Sequence, residues 1–142
     1  DYTATGHWNF FGREFFVGPG VLIPRSDTET LIDVCLESIK SNEAPRVLDL
    51  CAGTGCIGIT LKGERPTADV TLVEKYDEAL NYTVKNALHN NADVKILQGD
   101  VLNTEGAEGL YDLTQALYRY LRVKFWLIIL RFFSNGIIFL YR

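Results

Sequence analysis

Val47-Leu-Asp-Leu-Cys-Ala-Gly-Thr-Gly-Cys-Ile-Gly58 joins a short apolar run to a glycine-rich turn and then to the start of a helix. Val47 to Leu50 reads as a parallel strand buried on both faces. Ala52-Gly-Thr-Gly55 turns the backbone sharply, and Cys56 to Leu61 opens a helix. The glycines let a ligand come close to the main chain, and the helix N-terminus offers free N–H groups. Together they predict an anion- and nucleotide-binding corner. As bare letters, Gly53-x-Gly55-x-x-Gly58 matches the dinucleotide fingerprint, a pattern that identifies little by itself.

Working upstream, Ser26 and Glu29 have capping-box spacing, which predicts a helix start. Leu31, Ile32, Cys35, Leu36 and Ile39 then fall on one helical stripe. Before that helix, Asn9 to Val17 alternates around a Gly12-Arg13 turn and reads as a β-hairpin, its aromatics packing on the sheet in preference to forming a lid.

Working downstream, Gly63-Glu-Arg-Pro66 stops the second helix and Val70 to Val73 is a second buried strand with Glu74 at its end. Asp77 to His89 is a helix with Asp77 as N-cap and Ala79, Leu80, Val84, Ala87 and Leu88 facing inward. Val94 to Leu97 is a third strand, ending at Gln98-Gly-Asp100. Strands alternating with helices predict an α/β fold with a parallel, Rossmann-like sheet. Ligands bind such sheets beyond the C-terminal strand ends, where the glycine turn, Glu74 and Asp100 all fall.

These positions suit a nucleoside. Glu74 can accept from both ribose hydroxyls, Asp100 from an exocyclic adenine amine, and Val101 gives the base an apolar flank. A pyrophosphate fits poorly, because Asp49 lies close to the strand end and would repel it. S-adenosylmethionine has an ammonium group for Asp49, directly or through water, and a carboxylate for the glycine turn. This favours S-adenosylmethionine over the alternative, a catalytically inactive NAD-type Rossmann module.

Composition narrows the class. The 142 residues make one domain, and a net charge of −4 gives no basic excess that would indicate direct nucleic-acid binding. The three cysteines, Cys35, Cys51 and Cys56, show no Cys-x-x-Cys spacing, so structural thiols in a reducing cytoplasm are expected, with no metal site. A first residue of Asp1 reads as a fragment.

Val47 to Gly58 resembles motif I of class I S-adenosylmethionine-dependent methyltransferases. Phe11-Gly-Arg-Glu-Phe-Phe-Val17, followed by Val21-Leu-Ile-Pro-Arg-Ser-Asp-Thr-Glu29, is similar to the release factor glutamine N5-methyltransferases, the HemK/PrmC group. The resemblance covers about residues 2–113. It implies a partial class I methyltransferase sheet preceded by a hairpin and a helix. It also implies S-adenosyl-L-methionine held by Cys51, Ala52, Gly53, Thr54, Gly55, Glu74, Asp100 and Val101, and a peptide-chain release factor as protein substrate, methylated on the glutamine of a Gly-Gly-Gln loop in translation termination. Substrate-binding and catalytic residues are not assigned.

The family's Asn-Pro-Pro-Tyr motif, expected after Tyr111-Asp-Leu113, is replaced by Thr114-Gln-Ala-Leu-Tyr-Arg-Tyr120. The expected organisation is therefore a hairpin and extended lead-in (1–24), the N-terminal half of a cofactor-binding domain (25–113) and an atypical tail (114–142). That tail has five basic residues (Arg119, Arg122, Lys124, Arg131, Arg142), no acidic one, and two apolar runs. An out-of-frame or truncated reading frame fits the change. A membrane span is the other reading, shortened by Lys124, Arg131 and Ser134-Asn-Gly136. Leu127 to Leu130 can instead pair with an open parallel edge as a fourth strand, and leftover apolar surface predicts poor solubility.

Overall fold

The computed structural model describes residues 6–21, 23, 26–50, 52–99, 126–132 and 136–141. Strands β1 (His7–Phe10) and β2 (Arg13–Phe16) pair antiparallel as a hairpin. Its turn is Phe11-Gly12, with φ of 51° and 76°, the positive values a two-residue connection demands. The expected Gly12-Arg13 turn is thus one residue late, since Arg13 already pairs with Phe10. Phe10 and Phe15 are buried and meet edge-on at 6.1 Å, so these aromatics pack into the core.

Helix α1 (Ser26–Ile39) buries Ile32, Cys35 and Ile39 as its stripe predicts. Glu29 accepts the Phe11 N–H at 2.7 Å, fastening the hairpin turn to the first turn of this helix.

Strand β3 (Arg46–Leu50), helix α2 (Cys56–Glu64), strand β4 (Asp69–Glu74), helix α3 (Asp77–His89) and strand β5 (Lys95–Gln98) follow in order. Two more strands, β6 (Trp126–Phe132) and β7 (Gly136–Tyr141), complete a five-stranded sheet of order β5-β4-β3-β6-β7. All pairs are parallel except β6 with β7. Leu127 to Leu130 lies opposite Val47 to Leu50, the fourth-strand pairing the apolar run allows. The strand entry expected at Tyr111 to Leu113 lies outside the described residues. Among the described residues, no helix is long and apolar enough to cross a membrane.

The core is built from Val47 and Leu48 on β3, Ile57, Ile59 and Leu61 on α2, and Val70 and Leu72 on β4. Gly58 makes the α2–β4 contact close, since a Cβ there would lie 2.0 Å from Leu72 Cδ2.

Helix α3 departs from expectation at two points. Its N-cap is Tyr76, leaving Asp77 in the first turn, where Asp77 Oδ1 accepts from Gln98 Nε2 at 2.5 Å. Val84 and Leu88, expected inside, are exposed, and the buried face is Ala79, Thr83, Asn86 and Ala87. The rotation has a physical reason: this face meets backbone carbonyls, which need donors that Val84 and Leu88 do not have.

Candidate functional site

The main chain leaving β3 stays in the sheet for one more bond, Ala52 N–H to Val73 C=O at 2.9 Å, and then folds back. Gly55 N–H donates to Ala52 C=O at 2.9 Å, closing a tight turn. Gly53 and Gly55 have φ of 59° and 81°, in the left-handed region where a side chain is strained. Gly55 is also the N-cap of α2, and Ile59 N–H makes the first helical bond to its carbonyl at 2.9 Å. The glycines are therefore where the backbone reverses from strand into helix.

Glu74 closes this turn from the neighbouring strand. It is 6% exposed, with Oε1 accepting Gly53 N–H at 2.9 Å. Its Oε2 accepts Lys75 N–H at 2.6 Å and Tyr76 N–H at 3.0 Å. A carboxylate held by three amides is fixed in place. Its own carbonyl takes Gly99 N–H at 3.0 Å, so the exit of β5 is drawn to the same edge.

Ala52, Gly53, Thr54, Gly55 and Glu74 thus come together at the strand ends. Cys51, Asp100 and Val101 lie outside the described residues. Asp49 is not at the surface: it is fully buried, and its Oδ2 accepts the Gly58 N–H of α2 at 3.3 Å. It supports the helix from beneath and offers no open carboxylate to a ligand's ammonium group. Cys35 and Cys56 are buried. Burial, and secondarily the charge of Asp49, push the Cys35 thiol up to about 12.

Two residues that the periodicity did not single out hold the turn from the other side. Thr83 Oγ1 donates to Gly53 C=O at 2.6 Å, and Asn86 Nδ2 to Thr54 C=O at 2.8 Å. Their signal is present in the sequence as polar positions in register with Ala79 and Ala87. An amphipathic template scores such positions as outward.

Residues 25–114 match the methyltransferase small domain. The chain belongs to that family. Among curated relatives, this methyltransferase small domain is 43% identical over 99 residues to a release factor glutamine methyltransferase from Koribacter versatilis, covering 70% of this chain and 35% of the relative. It is 33% identical over 120 residues to the release factor glutamine methyltransferase of Flavobacterium psychrophilum, covering 82% and 42%. The chain therefore spans well under half the length of these relatives. In fold it resembles the tRNA (uracil-54, C5)-methyltransferase of Pyrococcus abyssi, solved in complex with S-adenosyl-L-homocysteine. The TM-score is 0.61 at 16% identity, covering 87% of this chain and 33% of that one. The Rossmann-like methyltransferase architecture expected from motif I is thereby shown, with a partial sheet after a hairpin and a helix.

Proposed function

We propose that the chain is the S-adenosylmethionine-binding part of a release factor glutamine N5-methyltransferase, acting in the cytoplasm on the Gly-Gly-Gln loop that serves translation termination. The observation that carries this reading is the Glu74 carboxylate, nearly buried and fixed against the Gly53 amide at the C-terminal edge of the sheet. Two strand-end groups meeting in this way suit a nucleoside whose ribose lies over the second strand. The identity to relatives named for release factor methylation supports the choice of reaction.

In this reading the turn from Cys51 to Gly55 receives the amino-acid end of the cofactor, and Glu74 accepts from the ribose hydroxyls. Asp100 and Val101 flank the adenine. When bound, the cofactor supplies a methyl group on a sulfonium centre. What the chain contributes is alignment and removal of water, the larger share of catalysis in an in-line displacement. A glutamine amide nitrogen is a poor nucleophile, because its lone pair is delocalised into the carbonyl. Transfer therefore needs a second set of groups that holds this nitrogen in line.

The family resemblance assigns that task to an Asn-Pro-Pro-Tyr motif, which does not occur in the 142 residues. Cofactor binding without transfer is the expected behaviour of this chain. Incubation with labelled S-adenosylmethionine and a release factor carrying the Gly-Gly-Gln loop tests it. Cofactor retained on the chain with no label on the release factor supports the reading. Labelling of the release factor would show that other residues hold the glutamine.

A further inference from the structure

We infer that Asn86 is a positioning residue that couples the aromatic hairpin to the glycine turn. Its side-chain amide is fully buried and makes three bonds to two separate segments. Oδ1 accepts Phe16 N–H at 2.6 Å, while Nδ2 donates to Phe16 C=O at 3.0 Å and to Thr54 C=O at 2.8 Å.

Bonding both polar groups of one residue is what a neighbouring strand does in a ladder. Asn90, one turn further along α3, donates to Glu14 C=O at 3.0 Å. Phe16 and Glu14 are two apart on β2, so their carbonyls share one edge of the strand, and Asn86 and Asn90 are four apart, so they share one face of the helix. Helix α3 thus takes the place of a third strand along the hairpin. Asn86 alone of these two also grips the turn after β3. Both of its amide hydrogens are committed, and no other side chain of this size offers one acceptor and two donors.

The consequence rests on the reading of the glycine turn as the cofactor site. A ligand that orders the turn orders the hairpin through the same amide, and the effect is reciprocal. Asn86→Ala cuts the link. Asn86→Asp keeps the acceptor for Phe16 N–H but loses both donors. Lowering the pH returns one donor as the introduced carboxyl protonates.

The test is hydrogen exchange on the full 142-residue chain, followed in peptides covering the hairpin (7–17) and the turn (52–58), with and without saturating S-adenosylhomocysteine. In the unaltered protein the ligand should slow exchange in both peptides. In Asn86→Ala it should slow the turn alone, with affinity weaker by about tenfold, the scale of one lost buried hydrogen bond. In Asn86→Asp, affinity should recover on going from about pH 8 to about pH 5, where a buried carboxyl protonates, while that of the unaltered protein changes less. Equal hairpin protection in Asn86→Ala, or a flat pH profile in Asn86→Asp, overturns the proposal. If the unaltered protein binds no S-adenosylhomocysteine, the cofactor reading fails separately. Ligand-free exchange then decides the link: both peptides faster in Asn86→Ala supports it, and one alone refutes it.

Discussion

Glu74 Oε1 lies 2.9 Å from the Gly53 amide nitrogen, so the acid of the second parallel strand and the first glycine of the turn after its neighbour are one hydrogen-bonded unit. Glu74→Gln keeps the size but turns an NH2 group toward either the Gly53 N–H or the Lys75 and Tyr76 pair. We expect this variant, like Glu74→Ala, to bind S-adenosylhomocysteine more weakly by about 1–3 kcal/mol. Glu74→Asp should be milder, because it keeps the charge. Calorimetric titration of the three variants checks this, and unchanged affinity in Glu74→Ala would place ribose recognition elsewhere.

Gly58→Ala should destabilise the fold by about 1–3 kcal/mol, the usual cost of overpacking. The new Cβ would fall 2.0 Å from Cδ2 of the fully buried Leu72, so the surrounding core must shift. The cost should shrink in a Leu72→Ala background, since the two positions share one space. Denaturant midpoints of the two single variants and the double variant measure it, and strict additivity would contradict the close contact.

Cys35 gives a pH dependence of known sign. Its folded value of about 12 lies above the ordinary 9.0, chiefly through burial and then through Asp49. The folded state therefore holds this proton more tightly than the unfolded chain does. The resulting stability is complete below pH 9.0 and is lost as pH rises toward about 12. The difference in stability between the unaltered protein and Cys35→Ala should narrow across that window. At neutral pH the same thiol should resist alkylation until the protein unfolds. Fast labelling of native Cys35 would contradict its burial.

Removing residues 114–142 takes away β6, which pairs with β3 from Arg46 to Leu50. Strand β3 would then carry an open edge on one side, a position that favours self-association. The shortened chain should melt lower and elute as larger species than the full chain. A more stable, monomeric 1–113 would show that β6 adds nothing to the sheet.

The parallel elements were legible because apolar runs at Val47, Val70 and Ile96 and the glycine turn are local signals. Glu74 could be placed at a strand end by counting along its run. Its bond to Gly53, 21 positions away, could not, because only the sheet register brings the two together. Helix α3 shows the complementary failure. Hydropathy favoured Val84 and Leu88, but the buried face follows the carbonyls of Gly53, Thr54 and Phe16, so Thr83 and Asn86 lie inside. Asp49 looked available for a ligand, since nothing local reveals that α2 covers it. In the hairpin, Gly12 is the local turn signal, but Phe11 holds the first turn position at φ 51°, a conformation that a bulky side chain seldom adopts and its sequence does not announce.

The most direct test of a cofactor site at Gly53 and Glu74 is calorimetric titration of the 142-residue chain with S-adenosylhomocysteine and, separately, with NAD. We predict saturable binding of S-adenosylhomocysteine and none of NAD, because residues 25–114 match the methyltransferase small domain. Saturable binding of NAD alone would contradict the account.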